Sequence, residues 1–215
     1  MKTLVLLIGC LAVGGLWWQT RPQQLLGSSV TSLGERSPAQ RHNIEQAARS
    51  LHGRILRPGQ EISFNALVGP RTRQRGYVAA PAFMTASTVA SIGGGICQVS
   101  SALYGAALQA GLDILERHPH YTPVASVPPG LDATVWYGQA DLRLRNPYPW
   151  PLRITTTTDA TTLTLRLHGR RAPPLPPLTR RENHRDPQHL VVNVYRGNHQ
   201  ISSDTYTLPP SPANF

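Results

Sequence analysis

The sequence predicts an α+β fold in which N-terminal helices, one of them bearing a cysteine, pack on an antiparallel sheet. Three observations predict it. Apolar or small residues recur at three- and four-residue spacing in two early stretches, Ile44, Ala47, Ala48 and Leu51, then Ala102, Leu103, Ala106, Ala107 and Ala110. From residue 112 onward the period shortens to two, in runs rich in Thr, Val, Ile and Leu. Twenty prolines and eighteen glycines punctuate the 215 residues, which calls for many turns and short extended pieces.

The elements follow in order. Lys2 precedes an apolar run that ends at Trp17-Trp18, so residues 1–20 read as an export signal or a membrane anchor, with Trp17, Trp18 and Arg21 suited to the interface. Residues 21–37 mix Gly, Ser, Pro and Gln without period and read as a linker. The main domain is placed at 38–170. It opens with an amphipathic helix over 38–51 that stops at Gly53. Residues 57–60 form a turn and residues 61–65 a short strand, followed by a loop with Arg71, Arg73 and Arg75. Over 78–92 helical and extended readings are both open. After the cysteine helix, strands are predicted at 112–118, 132–137, 141–145, 151–157 and 161–168, the last two joined as a hairpin around Asp159-Ala160. A proline-rich linker over 171–189 precedes a hairpin at 190–208, too small to fold alone and predicted to lie on the main domain, and a tail at 209–215.

The stretch with the most chemistry is Gly93-Gly94-Gly95-Ile96-Cys97-Gln98-Val99-Ser100-Ser101. Cys97 falls at a helix start, where free backbone N–H groups and the positive end of the helix dipole favour a thiolate. Ser101 and Tyr104 follow at four and seven residues, so one helix face should pack while the other presents a thiol, a hydroxyl and a phenol. The other cysteine, Cys10, lies in the N-terminal apolar run, which leaves Cys97 without an intrachain disulfide partner. A cysteine nucleophile needs a base and a group to orient it. His120, with His118 as second choice, supplies the base, Asp132 the orienter, and Gln98 with the backbone amides at Gly94 and Gly95 an oxyanion site. Arg71 is suited to a substrate carboxylate. Cys97 with His118 and His120 lacks the paired spacing of a zinc site, and no cofactor is called for.

Charge narrows the partner. Twenty-one Lys plus Arg stand against eleven Asp plus Glu, giving +10, and nearly all of the positive charge is arginine. No basic run is interleaved with aromatics and no nucleic-acid-binding motif occurs, so an anionic envelope surface or polymer is the better match.

The glycine–cysteine motif, Glu116-Arg117-His118-Pro119-His120, Val127-Pro128-Pro129-Gly130-Leu131-Asp132-Ala133-Thr134-Val135 and Tyr137-Gly138 together closely resemble the VanW-like family. The likeness extends upstream through His42-Asn43-Ile44, Pro58-Gly59, Phe64-Asn65 and Gly69-Pro70-Arg71-Thr72. The resemblance implies an exported bacterial envelope protein, some of whose relatives are linked to L,D-transpeptidation of peptidoglycan stem peptides through the motif cysteine. The order cysteine, histidine, polar third residue is also that of papain-like and transglutaminase-like folds. A cysteine acyltransferase, or a carboxypeptidase if water replaces the amine, is therefore the leading expectation. The alternative is a non-catalytic module that binds peptidoglycan or an anionic wall polymer through its arginines.

Overall fold

The computed structural model describes residues 23–84, 87–171 and 174–209. The predicted signal or anchor at 1–20 lies outside the described residues, as does nearly all of the predicted tail. Among the described residues no helix is long and apolar enough to cross a membrane.

Strand β1 (Gln24–Ser32) leads into helix α1 (Pro38–Leu51), the short strands β2 (Ile55–Leu56) and β3 (Glu61–Ser63), and a five-residue helix α2 (Phe64–Val68). A hairpin of β4 (Ala79–Met84) and β5 (Ser87–Ile92) precedes α3 (Cys97–Ala110). There follow β6 (Asp113–Glu116), β7 (Arg143–Arg145), β8 (Leu152–Thr158), β9 (Thr162–Gly169), β10 (Leu178–Asp186), β11 (His189–Arg196) and β12 (His199–Thr207). Pairing is antiparallel throughout, in sheets ordered β1-β9-β8-β2, β3-β7-β6, β4-β5 and β10-β11-β12. The class is α+β, mostly sheet with few helices. The helices do not precede the strands as a block, because β1 comes before α1 and the β4-β5 hairpin comes before α3.

Helix α1 has the predicted bounds for a local reason. The Ser37 hydroxyl accepts the Gln40 N–H at 3.2 Å, the Gln40 side chain accepts the Ser37 N–H at 3.0 Å, and Pro38 opens the first turn. Its apolar stripe, Ile44, Ala47, Ala48 and Leu51, is buried, and the Ala48 carbonyl accepts the Thr156 hydroxyl of β8 at 3.0 Å. The strand predicted at 61–65 stops at Ser63, whose hydroxyl accepts the Ala66 N–H and so caps α2. Of the stretch 78–92, left open by the sequence, Ala79–Met84 and Ser87–Ile92 are extended.

Two predicted linkers are strands. Residues 24–32 pair along their length with β9 from Gln24↔Gly169 to Ser32↔Thr162, and α3 lies across them. The small side chains that hide the strand period serve this crossing. A Cβ on Gly27 would stand 2.2 Å from the Ala106 carbonyl oxygen and 2.8 Å from the Ala110 nitrogen. Residues 178–186, within the predicted proline-rich linker, form β10 beside the predicted hairpin. That strand is exposed along almost its whole length, so it is held by its backbone ladder and carries no alternating pattern to read. The three-stranded sheet does lie on the main domain: Val192 and Val194 close over Gly130, and Arg180 Nη1 donates to the Pro129 carbonyl at 2.8 Å.

Helix α3 is the centre of the core. Val99, Ala102, Leu103, Ala106, Ala107 and Ala110 are buried as predicted, and Gly111 ends the helix in the left-handed conformation. The expected open face is not there. Gln98, Ser100, Ser101, Tyr104 and Leu108 are buried too, so in the first two turns only Cys97 reaches accessible space, with Gly105 half-buried and Gln109 exposed further along.

Candidate active site

Cys97 lies at the mouth of α3, half-buried, as a free thiol. The turn that delivers it depends on two left-handed glycines, Gly93 at φ 86° and Gly95 at φ 100°. This turn engages most of its own amides: Gly93, Gly94, Ile96, Gln98 and Val99 all donate to backbone carbonyls. Among the described residues, the N–H groups of Gly95 and Cys97 have no acceptor. Both residues line a cavity of about 450 Å³, together with Arg36, Arg71, Gly94, His120 and Tyr137 among others.

An isolated antiparallel bridge pairs His118 with Thr134, and two residues further along each strand stand His120 and Asp132. Asp132 Oδ2 accepts the His120 Nδ1–H at 2.6 Å and the His120 backbone N–H at 2.7 Å. With Nδ1 so occupied, Nε2 is the nitrogen left for Cys97, whose thiol donates to the Val135 carbonyl at 3.7 Å and lies within the electrostatic reach of the imidazole. The second carboxylate oxygen of Asp132 accepts from Arg117 Nη2 at 2.9 Å and from the Tyr206 hydroxyl at 2.5 Å. Tyr206 comes from β12 and its oxygen accepts the Gly130 N–H at 2.7 Å. Arg117 in turn pairs with Asp204 at 2.5 Å, donates through Nε to the Asp132 carbonyl at 2.6 Å, and covers the Tyr104 ring at 5.1 Å.

These contacts set the protonation states. Burial pushes the Cys97 thiol up, but the hydrogen bond and charge of His120, with a smaller contribution from Arg71, bring it below its ordinary value. Burial lowers His120, and its bonds to Asp132 and Cys97 reverse this and push it up to about 9. Burial raises Asp132, and His120, Tyr206 and Arg117 together hold it at about 2. Tyr206 is raised by burial and by the Asp132 charge, so its phenol stays a donor. Both shifts move the pair toward thiolate and imidazolium, beside an ionised aspartate.

The model of the family described as VanW like protein matches residues 39–168. The chain belongs to the VanW-like family. It is 42% identical over 131 residues to the uncharacterized protein YoaR of Bacillus subtilis, covering 61% of this chain and 43% of that protein. It is 30% identical over 122 residues to the vancomycin B-type resistance protein VanW of Enterococcus faecalis, covering 54% and 44%. The matched stretches thus span less than half the length of either relative. No solved structure matches the chain.

Of the residues this VanW-like sequence singled out, Cys97, His120 and Asp132 come together, and Arg71, Gly94 and Gly95 line the same cavity. His118 does not join them. Its ring bonds Glu116 Oε1 at 3.0 Å on the surface, its side chain 46% exposed. Gln98 touches the cavity, yet its amide is spent on Thr31 Oγ1, Ser32 O and Arg36 Nε and has no hydrogen left for an oxyanion. Ser101 and Tyr104 are buried outside it. The Ser101 hydroxyl donates to the Cys97 carbonyl at 2.7 Å and accepts the Ala133 N–H at 2.9 Å, bracing the helix start against the segment that carries Asp132. Tyr104 serves as the platform beneath Arg117. Arg117, Asp204 and Tyr206 were not foreseen. Arg117 lies inside the quoted motif, while Tyr206 stands 74 positions from Asp132 with no local signal.

Proposed function

We propose that the protein is a cell-envelope cysteine acyltransferase of L,D-transpeptidase type, acting on peptidoglycan stem peptides. The observation that carries this reading is the line Cys97, His120, Asp132 at the wall of an accessible cavity, with two unused N–H groups beside the thiol. The relative named for vancomycin resistance supports an envelope setting, and an exported chain held at the membrane by residues 1–20 fits it. The order of cysteine, histidine and aspartate is the one papain-like and transglutaminase-like enzymes use, and it is offered as a likeness of site order.

The Cys97 thiolate attacks the carbonyl of the third stem residue, forming the C–S bond and a tetrahedral oxyanion that the Gly95 and Cys97 N–H groups receive. The C–N bond to the terminal D-amino acid then breaks, and the His120 imidazolium gives its Nε2 proton to the departing amine. An amine of a neighbouring stem attacks the thioester, His120 takes up its proton, and the thiolate leaves as the new amide forms. Asp132 holds Nδ1 and the ring plane throughout. Water in place of the amine makes the same site a carboxypeptidase.

The test is mass spectrometry of muropeptides incubated with wild type and with Cys97→Ala. New cross-links or trimmed stems from the wild type alone are the expected result. Equal binding of peptidoglycan with no product from either protein would instead favour the non-catalytic envelope module.

A further inference from the structure

Two arginines line the cavity beside Cys97, and among the described residues neither has a carboxylate within ion-pair distance. Arg71 Nη1 donates to the Gly69 carbonyl at 3.0 Å and its guanidinium stands 5.6 Å from the centres of both the Phe64 and Tyr137 rings. Its Nη2 is buried without a hydrogen-bond partner. Asp141 acts on it only at a distance, its oxygens being taken by the Ser63 hydroxyl and the Asn65 and Leu142 amides. Arg36, between β1 and α1, is fixed through Gln98. Its Nε donates to Gln98 Oε1 at 2.6 Å, and Gln98, 3% exposed, is itself locked to β1 through Thr31 and Ser32. The neighbouring Glu35 forms no ion pair with it, and Nη1 and Nη2 have no acceptor among the described residues.

Half-burying a guanidinium without a counter-ion is costly unless a ligand supplies one. Holding its Nε in place while leaving the terminal fork open matches the geometry of bidentate carboxylate binding. We infer that the cavity binds a peptide bearing two carboxylates, one on Arg71 close to the reacting carbonyl and a second, further along the acyl side, on Arg36. This rests on the reading that Cys97 acts on peptides, and it adds the requirement for a second acidic group. Arg36 precedes the stretch that the family model matches, so the second anchor belongs to this chain's own N-terminal segment. For a stem peptide, the carboxylate on Arg71 is that of the terminal D-residue and the one on Arg36 is the α-carboxylate of the γ-linked D-glutamate.

The experiment is calorimetric binding of three synthetic peptides to the Cys97→Ala protein, where no turnover occurs. They are L-Ala-γ-D-Glu-L-Lys-D-Ala with both carboxylates free, the same peptide amidated at the D-Glu α-carboxylate, and the same peptide amidated at its C-terminus. The free peptide should bind about tenfold tighter than either amide, equivalent to ~1.4 kcal/mol per carboxylate. Adding Arg36→Gln should abolish only the discrimination against the D-Glu amide, and Arg71→Gln only that against the C-terminal amide. Equal weakening of all three peptides by Arg36→Gln, retention of both discriminations, or absence of binding below millimolar concentration would each overturn the inference. Both discriminations intact in Cys97→Ala, with no product formed from the free peptide by the wild type, would sink the enzyme reading and keep the two-anion site. The opposite pattern would do the reverse.

Discussion

Replacing Tyr206 by Phe removes one oxygen atom from a strand that the family model does not reach, and it should be felt at Cys97. The lost hydroxyl donates to Asp132 Oδ1 at 2.5 Å and accepts the buried Gly130 N–H at 2.7 Å. A hydrogen bond onto a charged acceptor contributes about 1.5–3 kcal/mol and a stranded buried amide costs about 1–3 kcal/mol, so a loss of roughly 2.5–6 kcal/mol of stability is expected. For a chain of this size that is on the order of 10 °C in Tm. Asp132 keeps Arg117 and both His120 donors, so it stays ionised, but its value rises from about 2 and its pull on His120 weakens. His120 then falls from about 9 and the thiol rises with it. The assay is the rate of iodoacetamide alkylation of Cys97 against pH, beside thermal melting. The rise of the thiol should slow alkylation at mildly acidic pH severalfold. If melting falls as expected while the alkylation profile superimposes on the wild type, Tyr206 only packs the sheet and the proposed relay is wrong.

His120→Ala removes the first influence that lowers the thiol and leaves burial in command, so Cys97 should alkylate at neutral pH more slowly than an ordinary cysteine, by at least about tenfold. The pH dependence of stability carries the same signature. Because His120 is raised when folded, its contribution is complete below the ordinary histidine value and is lost as pH climbs through about 9. Asp132 is depressed, so its contribution is complete above the ordinary carboxylate range and disappears as pH falls toward about 2; melting curves across pH check both limbs. Gly27→Ala places a methyl 2.2 Å from the Ala106 carbonyl oxygen and must push α3 off β1, a loss of about 1–3 kcal/mol readable by urea denaturation, with no change if the crossing is looser than described.

The sequence showed the site more clearly than the frame around it. Cys97, His120 and Asp132 were legible because each sits where local rules speak: a helix start after left-handed glycines, and a proline-broken strand facing the next extended segment. The two helices were legible by their three-and-four spacing and by glycine stops at Gly53 and Gly111, while the Ser37 cap came only with the structure. What escaped were features decided by distant partners. β1 is a strand because β9 offers it a ladder, and its Gly and Ser content reflects a helix arriving from seventy-odd positions away, as the Ser28 N–H bond to Gln109 shows across 81 residues. β10 is held by β11 with hardly any burial. His118 and His120 could not be told apart, since their difference lies in which ring meets a carboxylate twelve residues on and which meets Glu116.

Read inward from β12, the charges around Cys97 alternate in sign: Asp204, Arg117, Asp132, His120, and then the thiolate. Each neighbour favours the charged form of the next, which is how a buried imidazolium can persist to about pH 9 against its own desolvation. The row of five carries a net charge of −1, and Arg71 beside the thiol offsets it. In the proposed reaction, acylation of Cys97 would remove one negative charge at the inner end, so the imidazolium would lose its support on that side as it surrenders its proton, and Arg71 would be left with only the substrate to balance it. On this reading the C-terminal sheet is part of the electrostatic machinery, since Asp204 and Tyr206 are what keep Arg117 and Asp132 ionised in place behind the histidine.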